Sequence, residues 1–297
     1  MQMLRLWILS GVLVIASASA QTLNGVIDLH AHADPDSVPR SIDALSLVKL
    51  AKSSGFRGIV LKNHYEPTAS WAALARAQTP GIEVFGGIAL NRSVGGINAA
   101  AVERMTRVYG AWGRIVWMPT FDSENQVKTS REKRPFVPVS RTGRLLDPVF
   151  DVLDVIAKHN LVLATGHSTP AEVFMLIREA QKRQIKSIIV THAMLSPVSM
   201  NVDQMREAAE RGVMIEFVGN AVIGNSKSLT FEQYAAAMRK VGFENCILSS
   251  DLGQKGNPLH PDGLLQIFEG LRKAGVKPEE IEMMVKQNPA RLLGLQR

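Results

Sequence analysis

Short, nearly continuous apolar runs recur eight times along the chain, each followed by an amphipathic stretch. The runs cover 26–32, 58–64, 84–91, 114–120, 161–167, 187–192, 213–219 and 246–251. Polar residues hardly alternate within them, as expected of parallel strands covered on both faces. The stretches that follow, 41–54, 69–77, 97–108, 147–158, 170–183, 201–211, 231–240 and 261–273, carry helical periodicity. Ser41, the pair Thr169-Pro170 and Thr230 are predicted to open helices. Gly55, Gly212, Gly242 and Gly275 are placed to end them. Eight strand-then-helix units predict an α/β chain folded as a single (β/α)8 TIM barrel. A doubly wound open sheet needs no eighth unit, and no Gly-rich dinucleotide fingerprint follows any run.

The first twenty residues are different. A basic start containing Arg5 leads into the apolar 6–15, and Ala18-Ser19-Ala20 supplies small residues at a cleavage position. The pattern predicts a secretory signal over 1–20, a barrel over 21–297 and a periplasmic or secreted location. The apolar stretch is borderline in length for an uncleaved anchor, and no later segment can span a bilayer. Loss of Arg5 lowers the formal charge from +7 to +6. No aromatic-interleaved basic stripe or nucleic-acid module accompanies that charge, so no nucleic-acid partner is expected. Cys246, the one cysteine, cannot form a disulfide within the chain and reads as a small core residue.

Chemistry gathers where the apolar runs end. His30 and His32 close the first run, His167 the fifth, His192 the sixth and Asp251 the eighth. On one strand, residues two apart share a face, which predicts that Asp28, His30 and His32 point together. In a barrel the run ends meet at one rim, where catalytic groups of this fold sit. Imidazoles and a carboxylate suit a divalent metal, zinc before others. Such an ion lowers the pKa of water and polarises the group attacked, and Asp251 would serve as general base and then acid.

With these residues in chain order, the sequence resembles the amidohydrolase superfamily. The match takes in Asp28-Leu29-His30-Ala31-His32, His167, His192, Asp251 and the tail Asn288-Pro289-Ala290-Arg291-Leu292-Leu293-Gly294-Leu295. The resemblance implies one metal on His30, His32 and Asp251, and either a second on His167 and His192 or a single site completed by them. Binuclear members bridge their metals with a carboxylated lysine or a glutamate near the strand-four tip. Here that tip reads Trp117-Met118-Pro119-Thr120, with Asp122 beyond as the available substitute. The number of ions, one or two, therefore stays open.

Lys62 and His64 share a face at the end of the second run and are expected to contact substrate, His64 alternatively as an extra ligand. A histidine there is similar to one in the polymerase-and-histidinol-phosphatase family. Arg92, after the third run, and His260, after the eighth, are further candidate substrate contacts. Glu216 reads either as a partner orienting a histidine or as a buried pair with a barrel lysine. His159, near a helix end, reads as structural. The long segment 121–146 can form a lid and carries Lys128, Arg131, Lys133, Arg134, Arg141 and Arg144. With Arg40 and Arg92 these make the rim cationic, favouring a small anionic substrate.

Together the residues predict an exported metal-dependent hydrolase of an amide, lactam, lactone or ester bond. The alternatives are a mononuclear decarboxylase of the same superfamily, a phosphoesterase, and a non-enzymatic periplasmic metal- or ligand-binding barrel.

Overall fold

All eight apolar runs form strands in the computed structural model, which describes residues 22–295; the expected signal at 1–20 lies outside the described residues. The strands are β1 (Ile27–His32), β2 (Gly58–Lys62), β3 (Glu83–Ala89), β4 (Gly113–Trp117), β5 (Val162–Ala164), β6 (Ile188–Val190), β7 (Met214–Val218) and β8 (Cys246–Ser249). Each pairs in parallel with the next, in chain order. Just past β8, Leu252 bridges to Ala31, and the His32 N–H donates to the Leu252 carbonyl at 2.9 Å. The sheet thus closes on itself as a (β/α)8 barrel.

Ile27, Leu29, Val60, Ile115, Val162 and Ile247 fill the barrel interior together with Leu292 and Leu293 from the tail. That tail, the helix Asn288–Leu293, plugs the mouth where strands begin. Asn288 Nδ2 donates to the Cys246 carbonyl at 2.7 Å, and Ser187 Oγ to the Leu292 carbonyl at 3.1 Å. One end of the barrel is therefore sealed by hydrocarbon, leaving the other for polar chemistry.

Most of the outer helices follow the predicted stretches, and Thr169 and Thr230 cap theirs with full capping boxes. The first helix, Ala44–Ser53, starts later than predicted because Asp43, not Ser41, caps it. The Asp43 carboxylate accepts from the N–H groups of Leu45 and Ser46. The long segment after β4 is not structureless. It contains the helix Glu124–Thr129 and a two-stranded ribbon of Ser140–Arg141 with Arg144–Leu145.

Two local features depart from the pattern and build the site. The β1 register slips between Asp28 and Ala31, a bulge that breaks the period of two. Asp28 therefore does not join His30 and His32; its carboxylate takes the N–H groups of Ser250 (2.9 Å) and His30 (3.2 Å). Several strands also end sooner than the apolar pattern suggests. His64, His167, His192 and Asp251 stand in the turns beyond them rather than in the ladder. His192 (φ 27°) and Asp251 (φ 49°) adopt backbone that L-residues rarely take, the kind of strain found where function fixes a side chain. Gly253 permits the turn after Asp251: at φ +117° its Cβ position lies 2.1 Å from the His32 carbonyl oxygen.

Candidate metal centre

Four buried imidazoles and one carboxylate converge at the open mouth. His30 and His32 come from β1, while His167, His192 and Asp251 come from the turns after β5, β6 and β8. The Asp251 carboxylate oxygen Oδ1 lies 3.1 Å from both His30 Nε2 and His32 Nε2. His167 and His192 set their Nε2 atoms 3.1 Å apart, and the His192 ring stacks 6.2 Å from His30. One donor atom each from His30, His32 and Asp251 falls within 4.8 Å of the others.

The opposite ring nitrogens show why these Nε2 atoms face inward. His30 Nδ1 donates to the Glu216 carboxylate at 3.2 Å. His32 Nδ1 donates to the Lys62 carbonyl at 3.1 Å, and His167 Nδ1 to the Gln126 side-chain oxygen at 2.8 Å. Each such bond places the Nδ1 hydrogen outward and turns Nε2 into the cluster, with a free lone pair on the neutral rings of His32 and His167. Glu216 also accepts the His192 N–H at 3.0 Å, so one buried carboxylate orients parts of two histidines. It is the histidine-orienting partner, the first of its two sequence readings. Gln126 was not legible in sequence, because nothing local marks a lid-helix glutamine as the partner of a histidine 41 positions away.

Charge decides what fits here. Asp251 and Glu216 bring two negative charges into a buried place, which requires positive partners. Burial would lower the pKa of His30, but the carboxylates of Asp251 and Glu216 outweigh it and raise the value. Burial would raise Asp251, yet His30 and His32 hold it well below the usual carboxylate range. The remaining rings stay neutral. Burial takes His32, His64 and His167 well below the ordinary imidazole value and His192 to about 4. Lys62 extends its Nζ to 2.9 Å from His30 Nε2, over the Trp117 ring, and burial brings its pKa down to about 8. Neutral imidazoles with inward lone pairs beside two carboxylates are a donor set suited to a divalent ion. Such an ion would have to displace the Lys62 amine from His30.

A cavity of about 390 Å³ opens over the cluster, lined by the five residues above and also by Arg40, Lys62, His64 and Phe121. His64 donates from or accepts at Nδ1 with Thr120 Oγ1 (2.8 Å) and is stacked between His32 and Phe121, at 4.9 and 3.9 Å. Two other predicted contacts lie elsewhere. Arg92 is exposed on a turn past β3, outside this cavity lining. His260 opens the last barrel helix fully buried, its ring toward the backbone of Leu252 and His32. Asp122 does not reach the cluster as a bridge, because Arg134 (2.5 Å) and the Arg92 N–H (2.9 Å) hold it.

The charge of segment 121–146 is partly spent within the segment itself. Arg134 ties Asp122, Glu132 and the Phe121 carbonyl, and Lys128 pairs with Glu124 at 2.6 Å. The cations that line the cavity are Arg40 and Lys62. His159 binds Glu103 at 2.8 Å on the outer surface, and Cys246 is buried, both structural as read from sequence.

The chain belongs to a family of unknown function, DUF6282, whose model matches residues 25–216. No curated protein matches the sequence significantly. Solved structures of similar fold include an amidohydrolase from Pseudomonas aeruginosa, at 15% identity and TM-score 0.62 over 91% of this chain and 95% of that one. A dihydroxybenzoic acid decarboxylase from Polaromonas, with bound manganese and the inhibitor 2-nitroresorcinol, aligns at 13% identity and TM-score 0.61 over 92% and 98%. N-acetyl-D-glucosamine-6-phosphate deacetylase from Mycobacterium smegmatis aligns at 15% identity and TM-score 0.58 over 92% and 76%. The fold is that of amidohydrolase-superfamily structures, which include both hydrolases and decarboxylases. Among the described residues no helix is long and apolar enough to cross a membrane.

Proposed function

We propose that this member of DUF6282 is a metal-dependent hydrolase acting on an amide, lactam, lactone or ester bond in a small anionic substrate. One observation carries the reading: four histidines gather their Nε2 atoms beside Asp251 in one cavity, His30 and His32 each 3.1 Å from its carboxylate and His167 and His192 3.1 Å from each other, three of the four held through Nδ1. His30, His32 and Asp251 would hold the ion, with His167 and His192 completing the site. A divalent ion there, zinc in the first instance, would polarise the bond attacked and make water more acidic.

The chain supplies the rest. Asp251 takes a proton from the attacking water and returns it to the leaving group. It is ionised, so its oxygens are free of protons at neutral pH. Lys62 offers positive charge to a carboxylate or phosphate on the substrate, beside Arg40, whose guanidinium is shared with Asp36. Phe121 and His64 give a flat wall for its body. The phosphorylated amide named for the deacetylase of similar fold is a substrate of this general kind.

A second reading is favoured by a specific observation. Neither Asp122 nor any residue of the strand-four tip bridges toward the cluster, which points to a single ion, and the decarboxylase of similar fold carries manganese. A mononuclear decarboxylase of an aromatic acid fits that arrangement. The exported location expected from residues 1–20 is part of this proposal for either reaction.

Metal removal separates the readings from a binding protein. Chelator-treated protein should lose turnover by at least ~100-fold, and stoichiometric zinc or manganese should restore it. Acid release from lactones and N-acyl amino acids would support the hydrolase, and carbon dioxide from dihydroxybenzoates the decarboxylase. Full activity in the chelated protein would sink both.

A further inference from the structure

Between the turn that carries His192 and strand β1, the loops after β7 and β8 are joined by a chain of side-chain amides anchored to backbone atoms. At one end the Asn225 N–H donates to Asn257 Oδ1 at 2.8 Å, so the Asn257 NH2 must face the other way. At the other end Gln254 Nε2 donates to the Asp251 carbonyl at 2.8 Å, leaving Gln254 Oε1 as an acceptor. Asn257 Nδ2 fills the space between, donating to Gln254 Oε1 at 2.9 Å and to Asn220 Oδ1 at 3.1 Å. Neither Asn257 nor Gln254 can flip without breaking a bond to the backbone, and Asn220 cannot flip without losing its bond to Asn257.

The consequence falls on Asn220. Its oxygen is taken by Asn257, so its NH2 must point away, and the residue stands in the wall of the metal cavity. Among the described residues Asn220 Nδ2 has no partner. The Asn220 backbone is pinned as well, its N–H donating to the Ser250 carbonyl at 3.0 Å, next to Asp251. The loop is shaped around the relay: Gly224 has φ +74°, and its Cβ position lies 2.5 Å from Asn257 Oδ1. A buried amide held this firmly, with its donor left toward a cavity, is preorganised for an oxygen atom.

We propose that Asn220 is a specificity-determining residue, donating its amide N–H to an oxygen of the bound substrate, and that Asn257 and Gln254 are positioning residues for it. The substrate class is narrowed to molecules with a carbonyl, carboxylate or phosphoryl oxygen beside the group that meets the metal. This rests on the metal reading of the same cavity.

The test uses acetohydroxamate, a metal-binding probe with a neighbouring carbonyl oxygen, titrated into zinc-loaded protein. Asn220→Ala and Asn220→Asp should each raise its Kd by tenfold or more, with zinc stoichiometry and melting temperature unchanged. Aspartate keeps the size but offers only acceptors, so it must not rescue. Asn257→Ala should weaken the probe in the native background and add less than twofold in the Asn220→Ala background, because it acts through Asn220. A Kd within twofold of the parent for both Asn220 variants overturns the assignment, and full additivity overturns the relay. Zinc uptake with no hydroxamate binding by the parent protein overturns the assignment alone. Absence of zinc uptake removes the metal reading and the assignment together.

Discussion

Replacing Asp251 by asparagine is expected to lower turnover by roughly 10²–10⁴-fold, the range for loss of a positioned general base. The loss should persist when zinc is raised until the site is full. Asparagine keeps the size and one oxygen, so the folded chain should survive. It removes the charge that both His30 and His32 face at 3.1 Å. Zinc affinity should fall as well, but occupancy and turnover will separate on titration with metal. A variant that recovers full turnover at saturating zinc would leave Asp251 a ligand and nothing more.

Lys62→Met should act in opposite directions on metal and on substrate. The amine sits 2.9 Å from His30 Nε2, on an atom the ion needs. Two unit charges about 4 Å apart repel by roughly 4 kcal/mol at an effective dielectric of 20, so even a heavily discounted fraction matters. Zinc affinity should therefore rise at least ~10-fold when the amine is replaced by a side chain of similar volume. Turnover of an anionic substrate should fall, with most of the loss in kcat/KM, because a cation lining the cavity has been removed. Measuring zinc affinity by competition with a chromophoric chelator, and kinetics at fixed occupancy, keeps the two effects apart. Weaker zinc binding in this variant would mean that Lys62 supports the site instead of competing with the ion.

The barrel was legible because eight apolar runs must each be covered, and helices of matching length follow them. The histidines and Asp251 were legible for the same reason, each standing where an apolar run gives out. Their detailed placement was not. The bulge in β1 separates Asp28 from His30 and His32, and no residue in Asp28-Leu29-His30 announces it. Positive φ at His192 and Asp251 is set by turns whose geometry comes from neighbouring strands. Gln126 and the Asn220–Asn257–Gln254 relay reach the site through contacts tens of residues apart or across two loops, which local pattern cannot carry. Segment 121–146 illustrates the converse. Its arginines looked available in sequence, but Arg134 is committed to Asp122 and Glu132 once the segment folds. Charge counted along a chain overstates the charge presented to a ligand: Arg40 too is paired, with Asp36 at 2.6 Å, whereas Lys62 gains weight only through where the fold puts it.

Zinc stoichiometry measured on purified protein decides whether His30, His32 and Asp251 hold a divalent ion. Metal-stripped protein titrated with zinc at neutral pH should take up one equivalent per chain, measured after desalting. The double variant His30→Ala/His32→Ala should retain less than a tenth of that while keeping its far-ultraviolet circular dichroism. No tight zinc or manganese uptake by the parent protein, or undiminished uptake by the double variant, would mean that these three residues hold no ion.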